Sequence, residues 1–312
     1  MQKFIIFSPS YNEKSGGIVV LHKLCHLLNQ LGYDAKLYPH NEQFVIEKHN
    51  FFKILKVFFK FELKLLFKGY KTNSSLNTPV ITNKKLAVIE DDTVVVYSEL
   101  VLGNPLNAKN VVRWLLHQPG FHTGQVMYNP GELLFKFNSA IDDFHYPGSK
   151  TSEIELKVIH YPLEHYNLEN TNSSRQGSAY CIRKGKNKKI IHDLKNSILV
   201  DHLSHAEVAK VFKKSKQFIS YDTYTAYSIF AVLCGCESIV VPNDGESEEQ
   251  WYPNETDRYG IAYGFENIEK ANTTVHLVKQ HIIKEEQKSL TNVEHAVLEI
   301  NDYFFDKNKT KV

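Results

Sequence analysis

The chain has 312 residues, too many for one ordinary core and enough for two domains of roughly 150 residues each. With 42% apolar and 23% charged residues both halves can bury a core, and a formal charge of only +2 excludes a nucleic-acid binder that works through an overall basic field. The start has one Lys and then four consecutive apolar residues, Phe4 to Phe7. Neither a signal peptide nor a membrane span is expected from it, and the protein is expected in the cytoplasm.

Lys3 to Phe7 reads as a strand, followed by the loop Ser8 to Gly17. Val20, Leu21, Leu24, Leu27, Leu28 and Leu31 then recur at the spacing of an amphipathic helix that Gly32 stops, and Asp34 to Tyr38 reads as the next strand. The segment 50–68 places Lys53, Lys56, Lys60, Lys64 and Lys68 on one helical stripe, with Phe and Leu over most of the rest. Two readings stay open: a helix lying on an anionic membrane surface, or a helix packed on the sheet with one wet edge.

Asp91 and Asp92 read as the entrance of the strand Thr93 to Tyr97 rather than as a metal site. Val111 to Leu116 is a second β-rich run, and both suit a parallel sheet buried on two faces. The turn residues Pro147 to Ser149 suggest the end of the first domain, and Val158 to Pro162 a strand crossing to the second. Then follow the strand Ala179 to Ile182, a helix over Ser204 to Lys216, the strand Gln217 to Ser220, a helix over Ala226 to Cys234, the strand Ser238 to Pro242, and a charged helical tail from about Ile268. The expected domains are 1–160 and 161–312, both Rossmann-like, with the C-terminal helix packing back on the first. Cys25, Cys181, Cys234 and Cys236 lack paired CxxC spacing and are expected reduced and buried; His202 and His205 are expected to be structural and loop-facing.

The run Phe218 to Pro242, with its strand, loop, helix ending in Cys-Gly and second strand ending in Pro, resembles the donor-binding segment of retaining GT-B glycosyltransferases. Ser15-Gly16-Gly17 before a Leu-rich helix is similar to the amino-terminal signature of that superfamily, and Tyr97 to Pro105 and Arg113 to Gly120 resemble bacterial polysaccharide glycosyltransferases. The resemblance covers most of the chain. It implies an α/β GT-B fold, two Rossmann-like domains facing across a cleft, and transfer of a sugar from a nucleotide-sugar donor to a glycan or lipid-linked acceptor in bacterial surface polysaccharide synthesis. The two Glu that flank the loop in retaining enzymes match Asp222 and Phe230 here, so the second acid is absent and the stereochemical outcome does not carry over. A sugar-nucleotide epimerase and a non-catalytic nucleotide-sugar-binding or scaffold protein remain as alternatives.

A diphosphate needs neutralising charge. The helix start Thr225-Ala226-Tyr227-Ser228 offers N–H groups and hydroxyls, and Arg183 and Lys184 follow a strand at the edge where open α/β sheets bind ligands. The later lysines, Lys186, Lys188 and Lys189, are expected to face solvent. Gly16 and Gly17 permit close backbone approach to a ligand at a helix start. Glu99, Asn104 and His117 lie beyond predicted strand ends on the acceptor side, with His117, Glu99 and Asp222 as catalytic candidates and Glu13 as a further loop acid. No GxGxxG, Walker or DxD signature is present, so no cofactor and no metal are expected, the nucleotide sugar being a substrate.

Overall fold

The structure is a computed structural model that describes residues 2–40, 56, 59, 60, 63, 67, 69–82, 89–138, 141–172 and 174–306. The chain divides into two compact units, Met1–His160 with Glu286–Val312, and Tyr161–Glu285.

The first unit contains β1 (Lys3–Ser8), α1 (Gly16–Gln30), β2 (Asp34–Pro39), β3 (Thr93–Ser98), β4 (Asn110–Leu115), β5 (Leu133–Lys136) and β6 (Lys150–Glu155). All pair in parallel in the order β2-β1-β3-β4-β5-β6. The inner strands β1, β3 and β4 are buried almost throughout because both faces are covered. Phe4, Ile6, Val94, Val96, Val112 and Trp114 point into one core, and Ile5, Phe7, Val95, Tyr97 and Val111 into another, the alternation set by the two-residue strand period. The first core takes Leu21, Leu24 and Leu28 from α1 and Val293, Ala296, Val297 and Ile300 from the C-terminal helix.

The second unit contains β7 (Ser178–Cys181), β8 (Ser197–Leu199), α2 (His205–Phe212), β9 (Gln217–Ser220), α3 (Tyr227–Leu233), β10 (Glu237–Val240), α4 (Glu248–Trp251) and β11 (Ile261–Tyr263), and the long helix α5 (Ile268–Phe304) begins in it. Its sheet is also wholly parallel, in the order β8-β7-β9-β10-β11. Both units are therefore doubly wound α/β sheets of Rossmann-like type.

Local chemistry explains where the helices start and stop. Ser204 and Glu207 close a reciprocal capping box at the start of α2. At the end of α3, Gly235 takes φ +82°; its N–H bonds the Val232 carbonyl and that of Cys236 bonds Ala231, a Schellman stop that gives the Cys-Gly dipeptide its purpose.

Three sequence expectations are corrected. Pro147 to Ser149 does not end the first unit: it is the turn leading into β6, with Ser149 N–H bonded to the Tyr146 carbonyl. Val158 to Pro162 is irregular rather than a strand. His205 does not face a loop; it is buried in the first turn of α2, where its Nδ1 meets the Tyr166 hydroxyl. The four cysteines are free thiols and buried. Apart from residues 56, 59, 60, 63 and 67, the Lys stripe expected over 50–68 lies outside the described residues.

Candidate functional site

In a parallel sheet of order 2-1-3-4-5, the connections leave the first and third strands in opposite directions, which opens a crevice at their carboxyl ends. That switch point falls between β7 and β9 in the second unit and between β1 and β3 in the first.

In the second unit the loop after β7 is a tight turn. The Ile182 and Arg183 amides donate to the Asp201 carboxylate at 3.1 and 3.0 Å, and Arg183 sits in the left-handed region at φ +39°. That conformation costs a non-glycine residue of order 1–3 kcal/mol, so the Asp201 bonds are what hold it. The guanidinium lies 5.0 Å from the centroid of the Tyr227 ring and donates to Thr225 Oγ1 at 3.4 Å. Gly185 presses on the loop after β9 so closely that a Cβ would run into the Tyr221 carbonyl. Three residues past that contact, Lys188 Nζ donates to the Val241 carbonyl just beyond β10, 2.6 Å away.

This corrects the assignment of cations. Lys184 is exposed, whereas Lys188, expected in solvent, is half-buried at the strand ends. Burial holds its ammonium below the ordinary lysine range, while Glu246, Asp222 and Asp244 pull the other way. Lys188 could not be picked out from four lysines within six residues without the fold.

Of the helix-start residues, Thr225 Oγ1 accepts from the Tyr227 N–H at 3.3 Å and so caps α3 itself, while Ala226 is the cap residue in helical conformation. Tyr227 is buried beneath Arg183. Ser228 is buried, and its Oγ has no hydrogen-bond partner among the described residues. A buried hydroxyl without a partner is rare enough to need an explanation, and a ligand acceptor supplies one. Asp222 is buried at the end of β9, its Oδ1 accepting from the Tyr224 N–H at 3.3 Å. Sequence reasoning missed the carboxylate beyond β10: Glu246 accepts from Asn243 Nδ2 at 2.7 Å, Tyr263 OH at 2.9 Å and Tyr224 OH at 3.2 Å. Phe230, at the place of the absent acid, stacks on Tyr166 at 4.2 Å in the core.

In the first unit α1 begins at Gly16 beside the switch point. Ser15 makes no side-chain cap, and a Cβ on Gly16 would meet nothing within 4 Å. A Cβ on Gly17 would stand 3.5 Å from Leu116 Cδ1. Leu116 in turn donates its N–H to Glu99 Oε2 at 3.0 Å. Gly17, Leu116 and Glu99 thus share one corner of the carboxyl edge.

Glu99 is buried, and the loss of water pushes its carboxyl pKa up to about 7 against the Leu116 bond and the Arg113 charge. Its segment is held from beneath. Arg113 and Glu132 form a fully buried bidentate pair (2.8 and 2.9 Å), Arg113 also donates to the Ser98, Val101 and Gly103 carbonyls, and Tyr128 OH donates to the Glu99 carbonyl at 2.9 Å. His117 follows Leu116; its Nδ1 accepts from the Gln118 N–H at 2.8 Å, which leaves the ring proton of the neutral imidazole on Nε2. Asn104 does not reach out as expected: its amide bonds Tyr97 OH and both the N–H and the carbonyl of Ala108, closing its own loop.

No family model and no curated protein sequence matches the chain. Among solved structures it is similar to an α-glucosyltransferase in complex with UDP and a 13-mer DNA containing a central A:G mismatch, at 10% identity over 97% of this chain and 100% of that one, with a TM-score of 0.45. It is also similar to sucrose-phosphate synthase from Thermosynechococcus elongatus, at 10% identity over 97% and 98% of the two chains and a TM-score of 0.43. A third likeness is to a mutant of S. aureus TarM in complex with fondaparinux, α-GlcNAc-glycerol and UDP, at 10% identity over 98% and 100% and a TM-score of 0.41.

Proposed function

We propose that the protein is a metal-independent glycosyltransferase that takes a nucleotide-sugar donor on its second unit and a glycan or lipid-linked acceptor on its first, in the synthesis of a bacterial surface polysaccharide. What supports this reading is the carboxyl edge of the second sheet: Arg183 follows β7 and reaches Thr225, Lys188 Nζ donates to the Val241 carbonyl after β10, and the buried Ser228 hydroxyl in the first turn of α3 has no partner among the described residues. Two fixed cations offset the charge that builds on a leaving diphosphate, the work a divalent ion does elsewhere. Asp91, the first of the acidic pair, is engaged by Lys109 at 3.0 Å. On the first unit Glu99, with a pKa of about 7, suits the removal of a proton from the acceptor hydroxyl as that oxygen bonds to the sugar's anomeric carbon and the diphosphate leaves.

Calorimetric titration with UDP-, GDP-, CMP- and dTDP-sugars tests the donor site. One family is expected to bind, and Arg183→Ala is expected to weaken it by about 1.5–3 kcal/mol, the range for a hydrogen bond to a charged group, with the fold intact. Binding that ignores both Arg183→Ala and Lys188→Met refutes the site. Turnover that EDTA abolishes and Mn²⁺ restores refutes metal independence. Phe230 in the place of an acid favours one second reading, a nucleotide-sugar-binding protein without transfer, which a donor that binds but is never consumed reveals.

The acceptor side is proposed to work at the inner face of the plasma membrane. In support, Phe59, Leu63 and Phe67 recur at four-residue spacing in helical conformation and are exposed, as are Lys56 and Lys60. Among the described residues no helix is long and apolar enough to cross a membrane. Changing Lys53, Lys56, Lys60 and Lys64 to Glu is expected to abolish cosedimentation with anionic vesicles; unchanged cosedimentation removes the membrane from the reading.

A further inference from the structure

The loop after β4 holds an aromatic arrangement that the donor chemistry does not use. Gln118-Pro119-Gly120-Phe121 is a turn closed by the Phe121 N–H on the Gln118 carbonyl at 3.1 Å. Pro119 presets its first corner, and Gly120, at φ +82°, makes the second, as a type II turn demands. A second bond, from the Gly124 N–H to the Gly120 carbonyl at 2.8 Å, stiffens the return. The turn folds Phe121 back over His117, with centroids 4.4 Å apart, and brings His122 within 4.8 Å of His117 and 4.9 Å of Phe121. Three rings thus pack on one another at the carboxyl edge of the first sheet, and Phe121 is still 67% exposed. An apolar ring fixed in water by a two-turn loop, next to two imidazoles, is not there to fill the core.

We infer that these three rings are a pyranose platform, the subsite for the terminal sugar of the acceptor. The proposal rests on the glycosyltransferase reading for its biological meaning, though not for its test. A pyranose has one face of C–H bonds, which suits the electron-rich face of Phe121, and a rim of hydroxyls, which suits the exposed His122 imidazole. An acyl chain matches this surface less well, because it would strip water from the exposed His122 imidazole and return no hydrogen bond. Position supports the same occupant: the platform begins at the residue after Leu116, whose N–H holds the Glu99 carboxylate, so sugar ring and proton acceptor are served by one stretch of backbone.

The test is saturation-transfer NMR on the full chain with methyl β-D-glucopyranoside, methyl β-D-galactopyranoside and methyl N-acetyl-β-D-glucosaminide, irradiating the aromatic protons. At least one glycoside is expected to receive saturation, strongest at the C–H protons of a single ring face. Phe121→Ala is expected to weaken that glycoside about tenfold and Phe121→Tyr to preserve it, the size of one aromatic contact. Because Phe121 is exposed, the Ala variant keeps the fold, which its unchanged melting temperature checks. No saturation of any of the three, or saturation that survives Phe121→Ala, overturns the platform. So does a Phe121→Ala protein that loses anionic-vesicle binding yet keeps its glycoside signal, which would make the rings a lipid contact. Donor titration by calorimetry judges the glycosyltransferase reading separately: donor binding without glycoside saturation sinks the platform alone, and Phe121-dependent saturation without any donor binding sinks the transferase alone.

Discussion

Replacing Glu99 by Gln isolates an acid whose carboxyl pKa burial raises. The carboxyl is raised from 4.5 to about 7, chiefly by burial. Its folded form therefore holds a proton more tightly than its unfolded form, and the stability this contributes is fully present below pH 4.5 and is lost as pH rises through 7. At 1.36 kcal/mol for each unit, the loss amounts to about 3 kcal/mol above pH 7. Gln keeps the oxygen that accepts the Leu116 N–H and carries no charge, so the variant should lack this loss. Urea unfolding at pH 4.5, 6, 7 and 9 is the assay: the gap between Glu99→Gln and wild type is expected to widen in favour of the variant by about 3 kcal/mol and to level off above pH 7. In turnover, the same substitution should remove the acidic limb of the pH profile along with most of the rate. Parallel stability curves for the two proteins, or a gap that widens toward low pH, would refute the burial of an acid with a raised pKa and with it the choice of base.

Arg113→Met leaves Glu132 buried without its partner and should cost about 3–5 kcal/mol, whereas the double change with Glu132→Leu should recover most of that, read by urea midpoints. Gly185→Ala drives a Cβ into the Tyr221 carbonyl, so the turn must lift; about 1–3 kcal/mol of stability is expected to go, and nucleotide-sugar affinity with it, by calorimetry. An Ala variant that binds donor as wild type does would show that the turn's approach to β9 is irrelevant to the site.

What could be read from the sequence is what burial writes into it. β1, β3, β4, β9 and β10 lie inside their sheets and show as continuous apolar runs, and α1 shows as a periodic Leu pattern. The strands that escaped were β5, β6, β8 and β11. Of these β6, β8 and β11 are edge strands, and in Lys150–Glu155 and Ser197–Leu199 too few side chains are buried to stand out from loop. The site divides on the same principle. The places of Arg183, Glu99 and His117 at the carboxyl ends of β7, β3 and β4 are legible because each follows a readable strand closely. Lys188 is not, since its place depends on a turn that doubles back through Gly185 to the end of a different strand. Asn104 failed in the opposite sense: it follows a strand closely, but an Asn beside a turn often satisfies its own backbone, and here it does. Glu246 gave no periodic signal; three hydrogen bonds identify it, and those donors are up to 22 residues away in sequence.

The two switch points differ in chemistry although the sheets share their strand order, and the difference lies entirely in the loops. In the second unit the loop after β7 presents a guanidinium and an ammonium, and the first turn of α3 a buried hydroxyl without a partner among the described residues, a set that favours a polyanion. In the first unit the segments after β3 and β4 present a desolvated carboxyl and packed aromatic rings, and the Arg113 cation is sealed below the surface by Glu132 and three backbone carbonyls. That first set repels a diphosphate and suits a neutral, hydroxyl-rich molecule that must give up a proton. Burying Arg113 serves both ends, since the cation stiffens the segment that carries Glu99 while its charge, neutralised by Glu132, leaves the carboxyl's pKa near neutrality. Under the proposed transfer, a donor that carries phosphate and an acceptor that carries hydroxyls are the pair of ligands that such a division of charge would sort to different units.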